Sequence, residues 1–475
     1  MAMQYRLLLD GRLKQGAAAM DVLNPATGEV IAASGCADAA QAEEAVAAAL
    51  RAFPGWRARS QDERAACLEA MAQALAARSE EFARLLTQEQ GKTLAEARGE
   101  VEGSIAALHY HAGLRLEPVV LKENPSERVV EQRYPLGVVI AIVPWNYPLL
   151  LLMLKLAPAL LAGNCVIAKP APTTPITTLR FGELVADLLP PGTFQTLGDR
   201  GDLGPVLTAH PDVAHVSFTG STATGRKVLA SAAGTLKRFT LELGGNDAAI
   251  VLDDADIASV APQLFAGATA NAGQICLGIK RIYVHRDKAD ALCEALVELA
   301  RAAVIGNGLS EDTTLGPVQN AAQHARLGGL LEESRRLGQV LCGGVLPDGP
   351  GWFVPPTVVR GLPDNARLVR EEQFGPLIPV MAYDSLDEAV ARANASEYGL
   401  GASVWSGDVT RGMAVAERID SGLVWVNRVF DLPFEVPLGG ARQSGMGRHQ
   451  GLAGVEEFTQ ARIVNGALQV IAERS

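Results

Sequence analysis

The chain predicts an α/β fold built on a parallel sheet, and three observations predict it. Several apolar runs read as strands hydrophobic on both faces, and amphipathic helical runs intervene between them. Strands of that kind belong to parallel sheets covered by helices on both sides. The third observation is size: 475 residues at 48% hydrophobic content can bury more than one core, and the length suggests about three domain-sized units.

Taken in chain order, the first 100 or so residues are rich in Ala, Glu and Arg. They predict mostly helices, such as Ala37 to Arg51 and Gln61 to Gly91, packed around the first sheet. LGVVIAIV (Leu136 to Val143) predicts a strand, PLLLLMLKLAPALLAG a helix ending in Gly163, and CVIAKP (Cys165 to Pro170) a second strand. ITTLRFGELVADLLPPG is an amphipathic helix closed by Pro190, Pro191 and Gly192; VAHVSFTG is a strand and TATGRKVLASAAGTL a helix. A second α/β stretch begins near Gly244, with RIYVHRD as strand, Lys288 to Gly306 as helix, FGPLIPVMAY as strand and SLDEAVARAN as helix. ENPSERVVEQRYPLG (Glu123 to Gly137) and VEEFTQARIVNGALQV near the C-terminus alternate polar and apolar residues, as edge strands or an exposed hairpin do, and are a candidate subunit interface.

Composition narrows the partners. With 42 basic and 53 acidic residues the net charge is −11, without a basic stripe, so neither nucleic acid nor an acidic membrane surface is expected. The apolar stretch from Gly137 to Ala168 is interrupted by Pro144, Asn146, Pro148, Lys155 and Pro158, which argues against a membrane span. The six cysteines form no CxxC pair and no zinc-ligand spacing with the seven histidines, so no metal is expected. Low cysteine density and a start without an apolar leader predict a cytoplasmic protein.

Five stretches carry candidate chemistry. NAGQICLG (Asn271 to Gly278) places Cys276 among small and amide residues; it reads as a nucleophile or as a packed thiol. SFTGSTATG (Ser217 to Gly225) sets Gly220 and hydroxyls between strand and helix, where backbone N–H groups favour an anion or simply cap the helix. No GxGxxG follows a strand, and the loop lacks the lysine register of nucleoside triphosphate hydrolases. PWNYP (Pro144 to Pro148) fixes Asn146 at a strand's carboxyl end, suited to an oxyanion or to a local turn. In TLELGGND, Glu242 sits in an apolar strand, either a general base with a raised pKa or half of a buried ion pair. REEQFGPLIPV reads as a helix end with an aromatic plug, or as Glu372 on a sugar hydroxyl with Phe374 against a flat ring.

PWNYPL, AKPAPTTP, SFTGST, LELGG, GQICLG, EEQFGP, SGLVWVN and PLGGARQSGMGR, in this order and across nearly the whole chain, resemble the aldehyde dehydrogenase superfamily. The resemblance implies a cofactor-binding domain (1–121 and 138–243, with 427–454 returning to it), a catalytic domain (244–426) and a small β oligomerisation arm (122–137 and 455–475). It implies that Cys276 attacks an aldehyde, that the Asn146 amide and the Cys276 N–H hold the oxyanion, that hydride passes to the nicotinamide ring, and that Glu242 activates water to hydrolyse the thioester. Lys155, the lone charge in its apolar helix, matches a family lysine near the site.

For NAD or NADP the resemblance assigns Trp145 and Lys169 to the adenosine ribose end, Gly220, Ser221 and Gly225 to the pyrophosphate, Glu372 to the nicotinamide ribose and Phe374 to the ring. Three positions depart from the family pattern. Pro172 stands where NAD-preferring members often carry a ribose-binding Glu, which leaves the cofactor open; His449 stands where Glu often follows the late GR pair; Asn246 and Asp247 follow LELGG in place of Lys and Ser. Tyr147, Leu150, Leu154, Ile275, Leu277, Leu432 and Leu438 would line the substrate pocket, implying a neutral, medium-sized aliphatic or aromatic aldehyde. Alternatives are a semialdehyde dehydrogenase using Arg428 for a substrate carboxylate, a CoA-acylating enzyme, against which Glu242 speaks, and a catalytically silent relative. His109 and His111 read as solvated or core histidines, and a homodimer or homotetramer is expected.

Overall fold

The computed structural model describes residues 4–468; residues 469–475, the end of the expected arm, lie outside the described part. An eight-stranded sheet has the order Gly445–Met446, Arg238–Glu242, Val213–Thr219, Val138–Ile142, Cys165–Lys169, Phe194–Thr196, Leu7–Leu9, Arg12–Lys14. Its five central strands, from Arg238–Glu242 to Phe194–Thr196, are parallel and the outer ones antiparallel. The strand Val138–Ile142 is buried at every position, as is Cys165–Lys169, which is why neither alternates in sequence. The Pro148–Ala162 helix between them starts on proline and stops at Gly163, whose φ of 99° suits a helix C-terminus.

From Val138–Ile142 the chain steps outward to Cys165–Lys169 and Phe194–Thr196, then returns to the other flank as Val213–Thr219 and Arg238–Glu242. The reversal leaves a crevice between Val138–Ile142 and Val213–Thr219 at their carboxyl ends, where open α/β sheets bind ligands.

A seven-stranded sheet follows, in the order Gln339–Cys342, Thr357–Arg360, Leu377–Tyr383, Ile279–His285, Asp247–Val251, Gly401–Trp405, Leu423–Val426. All its pairings but the first are parallel. Separate apolar cores cover its two faces. A three-stranded antiparallel sheet joins Val119–Asn124, Glu127–Pro135 and Thr459–Ala467, starting at Val119, slightly before the expected boundary at 122. Val119, Val120, Leu121, Ile463 and Val464 stand exposed on it.

The N-terminal expectation is corrected in one respect. Helices occupy Ala39–Ala58, Gln61–Ala76, Ser79–Gln90 and Leu94–Gly113, but residues 4–36 form five short strands, Gln4–Tyr5, Leu7–Leu9, Arg12–Lys14, Ala18–Leu23 and Val30–Cys36. The reason is local: Asp10 and Gly11 both have positive φ (49° and 72°), the conformation that an Asp-Gly pair offers a tight hairpin. The run expected as one helix from Gln61 to Gly91 is two, parted at Ala77 and Arg78.

Candidate active site

Parallel strands deliver their carboxyl ends to one edge, and four neighbours deliver six candidates. Arg238–Glu242 ends on Glu242, Val213–Thr219 leads to Gly220 and Ser221, Val138–Ile142 to Trp145 and Asn146, and Cys165–Lys169 ends on Lys169. The Gly220 N–H donates to the Glu242 carbonyl (3.1 Å), tying two of these ends together.

Between the two large sheets lies a cleft of about 710 Å³. Trp145, Asn146, Gly220, Ser221, Glu372, Phe374 and Cys276 line it, the first four from one sheet's edge and the rest from the other's. Ser221 caps the Thr222–Ser231 helix through the Thr224 N–H, so the helix N-terminus meets the cleft, an arrangement favourable to an anionic group. Trp145 and Phe374 meet edge to face, ring centres 5.3 Å apart. Glu372 accepts from the Gly245 N–H (3.0 Å), and burial raises its carboxyl pKa. Flat aromatic walls, an anion-favouring helix end and a carboxylate near two glycines fit a dinucleotide; Gly244 matters here, since a Cβ on it would meet Glu372 Oε2 at 2.4 Å.

The segment before Cys276 turns through left-handed backbone at Asn271, Ala272 and Gly273 (φ 50°, 54° and 72°). Such conformations are costly for non-glycine residues and persist where surrounding structure over-determines them. Asn146 Nδ2 donates to the Gln274 carbonyl (2.9 Å), and the Asn146 carbonyl accepts from Lys92 Nζ (3.0 Å) and Asn271 Nδ2 (3.1 Å). An amide with one N–H used for orientation keeps the second for another acceptor. Lys92 is itself buried against Glu100 (2.5 Å), whose other oxygen accepts from the Leu149 and Leu150 N–H groups at the start of the Pro148–Ala162 helix.

Cys276 is half-buried, and desolvation pushes its thiol up to about 12, with Lys280 acting in the opposite direction. Glu242 is 7% exposed, and burial raises its pKa to about 8, opposed by Lys155. Its Oε1 has no hydrogen-bond partner, so a buried polar atom stands ready for water or substrate. Lys155, fully buried, donates to Thr219 Oγ1 (2.7 Å) and Ser217 Oγ (3.3 Å) and lies 3.4 Å from His449 Nε2. Burial lowers its pKa, and His449 is likewise driven down by desolvation and by Lys155.

Ile275, Leu277, Leu432 and Leu438 join Cys276 in one apolar cluster with Leu400 and Trp425. Leu150 and Leu154 do not: they pack into the first sheet's core. Tyr147 sits under Lys92 Nζ, 3.6 Å from the ring centre. Gly225 is a packing position away from the cleft wall, where a Cβ would meet Leu243 Cδ2 at 2.6 Å. Lys169 and Pro172 also lie off that wall; Lys169 is buried in an ion pair with Asp199 (2.8 Å). Arg428 is exposed, pairs with Asp431, three residues on, and is not among the residues lining the cleft. His109 is exposed against Glu69, and His111 is a buried core residue bonded to the Ala107 carbonyl. Sequence reading missed Lys92, Glu100, Gln274 and Lys280; for Glu100 and Lys280 the signal available was charge inside an otherwise buried helical or strand pattern, and Lys92 and Gln274, in loops, carried none.

A two-sheet α/β enzyme with a cysteine in its inter-sheet cleft is the class this geometry defines. The profile of the aldehyde dehydrogenase family matches residues 13–464. The chain is 39% identical over 425 residues to aldehyde dehydrogenase LUC3 of Fusarium sp, covering 89% of this chain and 90% of that protein. It is 38% identical over 454 residues to betaine aldehyde dehydrogenase of Rhizobium leguminosarum bv. trifolii (strain WSM2304), covering 94% and 93%. Among solved structures, PnpE from Pseudomonas sp. WBC-3 in complex with nicotinamide adenine dinucleotide superposes with a TM-score of 0.95 at 36% identity, over 98% of each chain. Lactaldehyde dehydrogenase from Escherichia coli does so with a TM-score of 0.95 at 34% identity, over 98% and 99%. The chain belongs to the aldehyde dehydrogenase family, enzymes that oxidise aldehydes.

Proposed function

We propose that this enzyme oxidises a neutral, medium-sized aliphatic or aromatic aldehyde to its carboxylic acid, with NAD or NADP, through an acyl group carried on Cys276. Residues 1–121, 138–243 and 427–454 form the cofactor domain in this reading, 244–426 the catalytic domain, and 122–137 with 455–475 an arm joining subunits of a homodimer or homotetramer. Trp145, Gly220, Ser221, Glu372 and Phe374 would hold the dinucleotide; when bound, its nicotinamide supplies the hydride acceptor.

The Cys276 thiol loses its proton to water, and its sulfur, as thiolate, forms a bond to the aldehyde carbon while the carbonyl π pair moves onto oxygen. The developing oxyanion takes the free N–H of the Asn146 amide, which Gln274, Lys92 and Asn271 hold in place in advance, together with the Cys276 N–H. After oxidation, the thioester is opened by water that Glu242 deprotonates, releasing the acid and the thiol. The observation that carries the reading is the unpartnered Glu242 Oε1, buried behind a cleft that Cys276 and Asn146 both line. An acylating route to a thiol acceptor would not require that carboxylate.

The apolar cluster around Cys276 supports a neutral substrate, and Arg428, exposed and paired with Asp431, is not among the residues that line the cleft. The test is NADH and NADPH formation with hexanal, benzaldehyde, betaine aldehyde and succinic semialdehyde. The highest kcat/KM should fall on hexanal or benzaldehyde. A preference for succinic semialdehyde that Arg428→Ala abolishes, or for betaine aldehyde, would overturn the substrate class. Turnover by Cys276→Ala equal to wild type would overturn the mechanism.

A further inference from the structure

Lys280 follows the catalytic loop at the start of the Ile279–His285 strand and is 2% exposed. Its Nζ donates to the carbonyls of Ile275 (2.6 Å), Cys276 (3.1 Å) and Gly278 (2.9 Å). An ammonium has three N–H donors, and three carbonyls of one short loop satisfy them all. Lys155 donates to the Thr219 and Ser217 hydroxyls, while two other buried lysines take carboxylates, Lys92 with Glu100 and Lys169 with Asp199. Here the contacts are neutral dipoles, a costly home for a charge unless something nearby gains from it.

What lies nearby is the thiol. The charged and titratable groups facing Cys276 come from several elements. They are Lys280 on its own strand, Glu372 from the segment after the Arg367–Arg370 helix, Asp247 from the Asp247–Val251 strand, Glu242 from the Arg238–Glu242 strand, and Tyr147 ahead of the Pro148–Ala162 helix. Lys280 is the cation among them. The three carboxyl groups push the thiol the wrong way for ionisation, as burial does; Lys280 pulls it back. Asp247 is itself driven up to about 7 by burial, which reduces its opposition near neutral pH. Three carbonyl oxygens gathered beside the sulfur would also disfavour a thiolate if no cation occupied their meeting point.

We propose that Lys280 is a positioning residue for Cys276: by gathering the Ile275, Cys276 and Gly278 carbonyls onto one ammonium, it fixes the loop that carries the thiol and places the positive charge that a thiolate there requires. The proposal rests on Cys276 being the nucleophile. A purely structural role would be filled by any side chain that holds the loop; this one works through its charge.

The experiment compares wild type with Lys280→Met, Lys280→Gln and Lys280→Arg. The rate of Cys276 alkylation by iodoacetamide is followed from pH 6 to 10, with and without NAD, beside kcat and thermal unfolding. Cys276→Ser is run as a control: if it keeps full aldehyde turnover, the nucleophile assignment fails, independently of Lys280. With that control inactive, Lys280→Gln and Lys280→Met should move the alkylation profile upward by about one pH unit, roughly tenfold slower at neutral pH. Lys280→Arg, which keeps the charge, should stay close to wild type in that profile even if its kcat falls. A folded neutral variant with an unshifted profile overturns the proposal. So does failure of both neutral variants to fold while Lys280→Arg folds with an altered profile, which would assign the residue to stability alone.

Discussion

Asn146 shows how much chemistry one side chain borrows from its neighbours. Its amide is aimed by the Gln274 carbonyl, and its own carbonyl is held twice over, by Lys92 and Asn271. Removing a preorganised oxyanion donor typically costs about 10² to 10³ in rate. Asn146→Ala should therefore lower kcat by that factor while leaving iodoacetamide labelling of Cys276 intact; an unchanged kcat would remove the amide from the mechanism. Glu242 gives a second residue-level prediction. A base works only when deprotonated, and burial holds this carboxyl at about 8. Hydrolysis of the acyl enzyme should thus speed up as pH rises through 8 and level off above. Glu242→Gln should release about one equivalent of NADH per site in a burst and then stall. Steady turnover without a burst, independent of pH, would contradict that role.

At the scale of elements, the buried Lys92–Glu100 pair links the Leu94–Gly113 helix to the turn ahead of the Pro148–Ala162 helix. Breaking a buried pair from one side strands a charge, at a cost of about 3–5 kcal/mol. Lys92→Met should lose that much stability in urea unfolding and, because Asn146 loses an anchor, some kcat as well; loss of neither would make the pair incidental. The three-stranded arm is another element whose sequence is unusual for a surface. Leu121 is 54% exposed and Ile463 53%, on a sheet too small to cover them. Ile463→Glu should yield a smaller species in sedimentation velocity with unchanged circular dichroism, whereas an unaltered sedimentation coefficient would place the subunit contact elsewhere.

For the molecule as a whole, buried titratable groups set opposing limits on stability. His111 is lowered to about 4 and His215 to about 3 by desolvation, so their stabilising contribution is complete above the unfolded value of about 6.5 and disappears as pH falls through 4 and 3. Glu89, Asp247 and Glu242 are raised by burial to about 7, 7 and 8, so theirs is complete below about 4 and is lost as pH rises through 7 and 8. Unfolding temperature should accordingly be higher at pH 6 than at pH 8.5 or pH 3.5. Glu89→Gln should flatten the alkaline limb, and a melting temperature that climbs steadily to pH 8.5 would refute this balance.

The parallel-sheet architecture was legible because strands buried on both faces leave a local mark, as VVIAI at Val138–Ile142 and CVIAK at Cys165–Lys169 do. The N-terminal strands leave little mark in the sequence: at two to seven residues they are too short for a period-2 pattern to stand out, and the Asp10-Gly11 pair is their one local hairpin signal. Cys276, Asn146 and Glu242 could be singled out because each is chemically out of place in its own stretch. The chain alone also settles its acidic charge, the lack of a long uninterrupted apolar span and the order of its family motifs. Tertiary structure decided which residues meet. Lys280 finds three carbonyls, Glu242 Oε1 is left without a partner, Lys169 pairs with Asp199, and Arg428 pairs with Asp431. The division has a physical cause: hydrophobic periodicity acts over a few neighbouring residues, whereas the partner of a buried charge is set by which strand ends and loops the topology brings together.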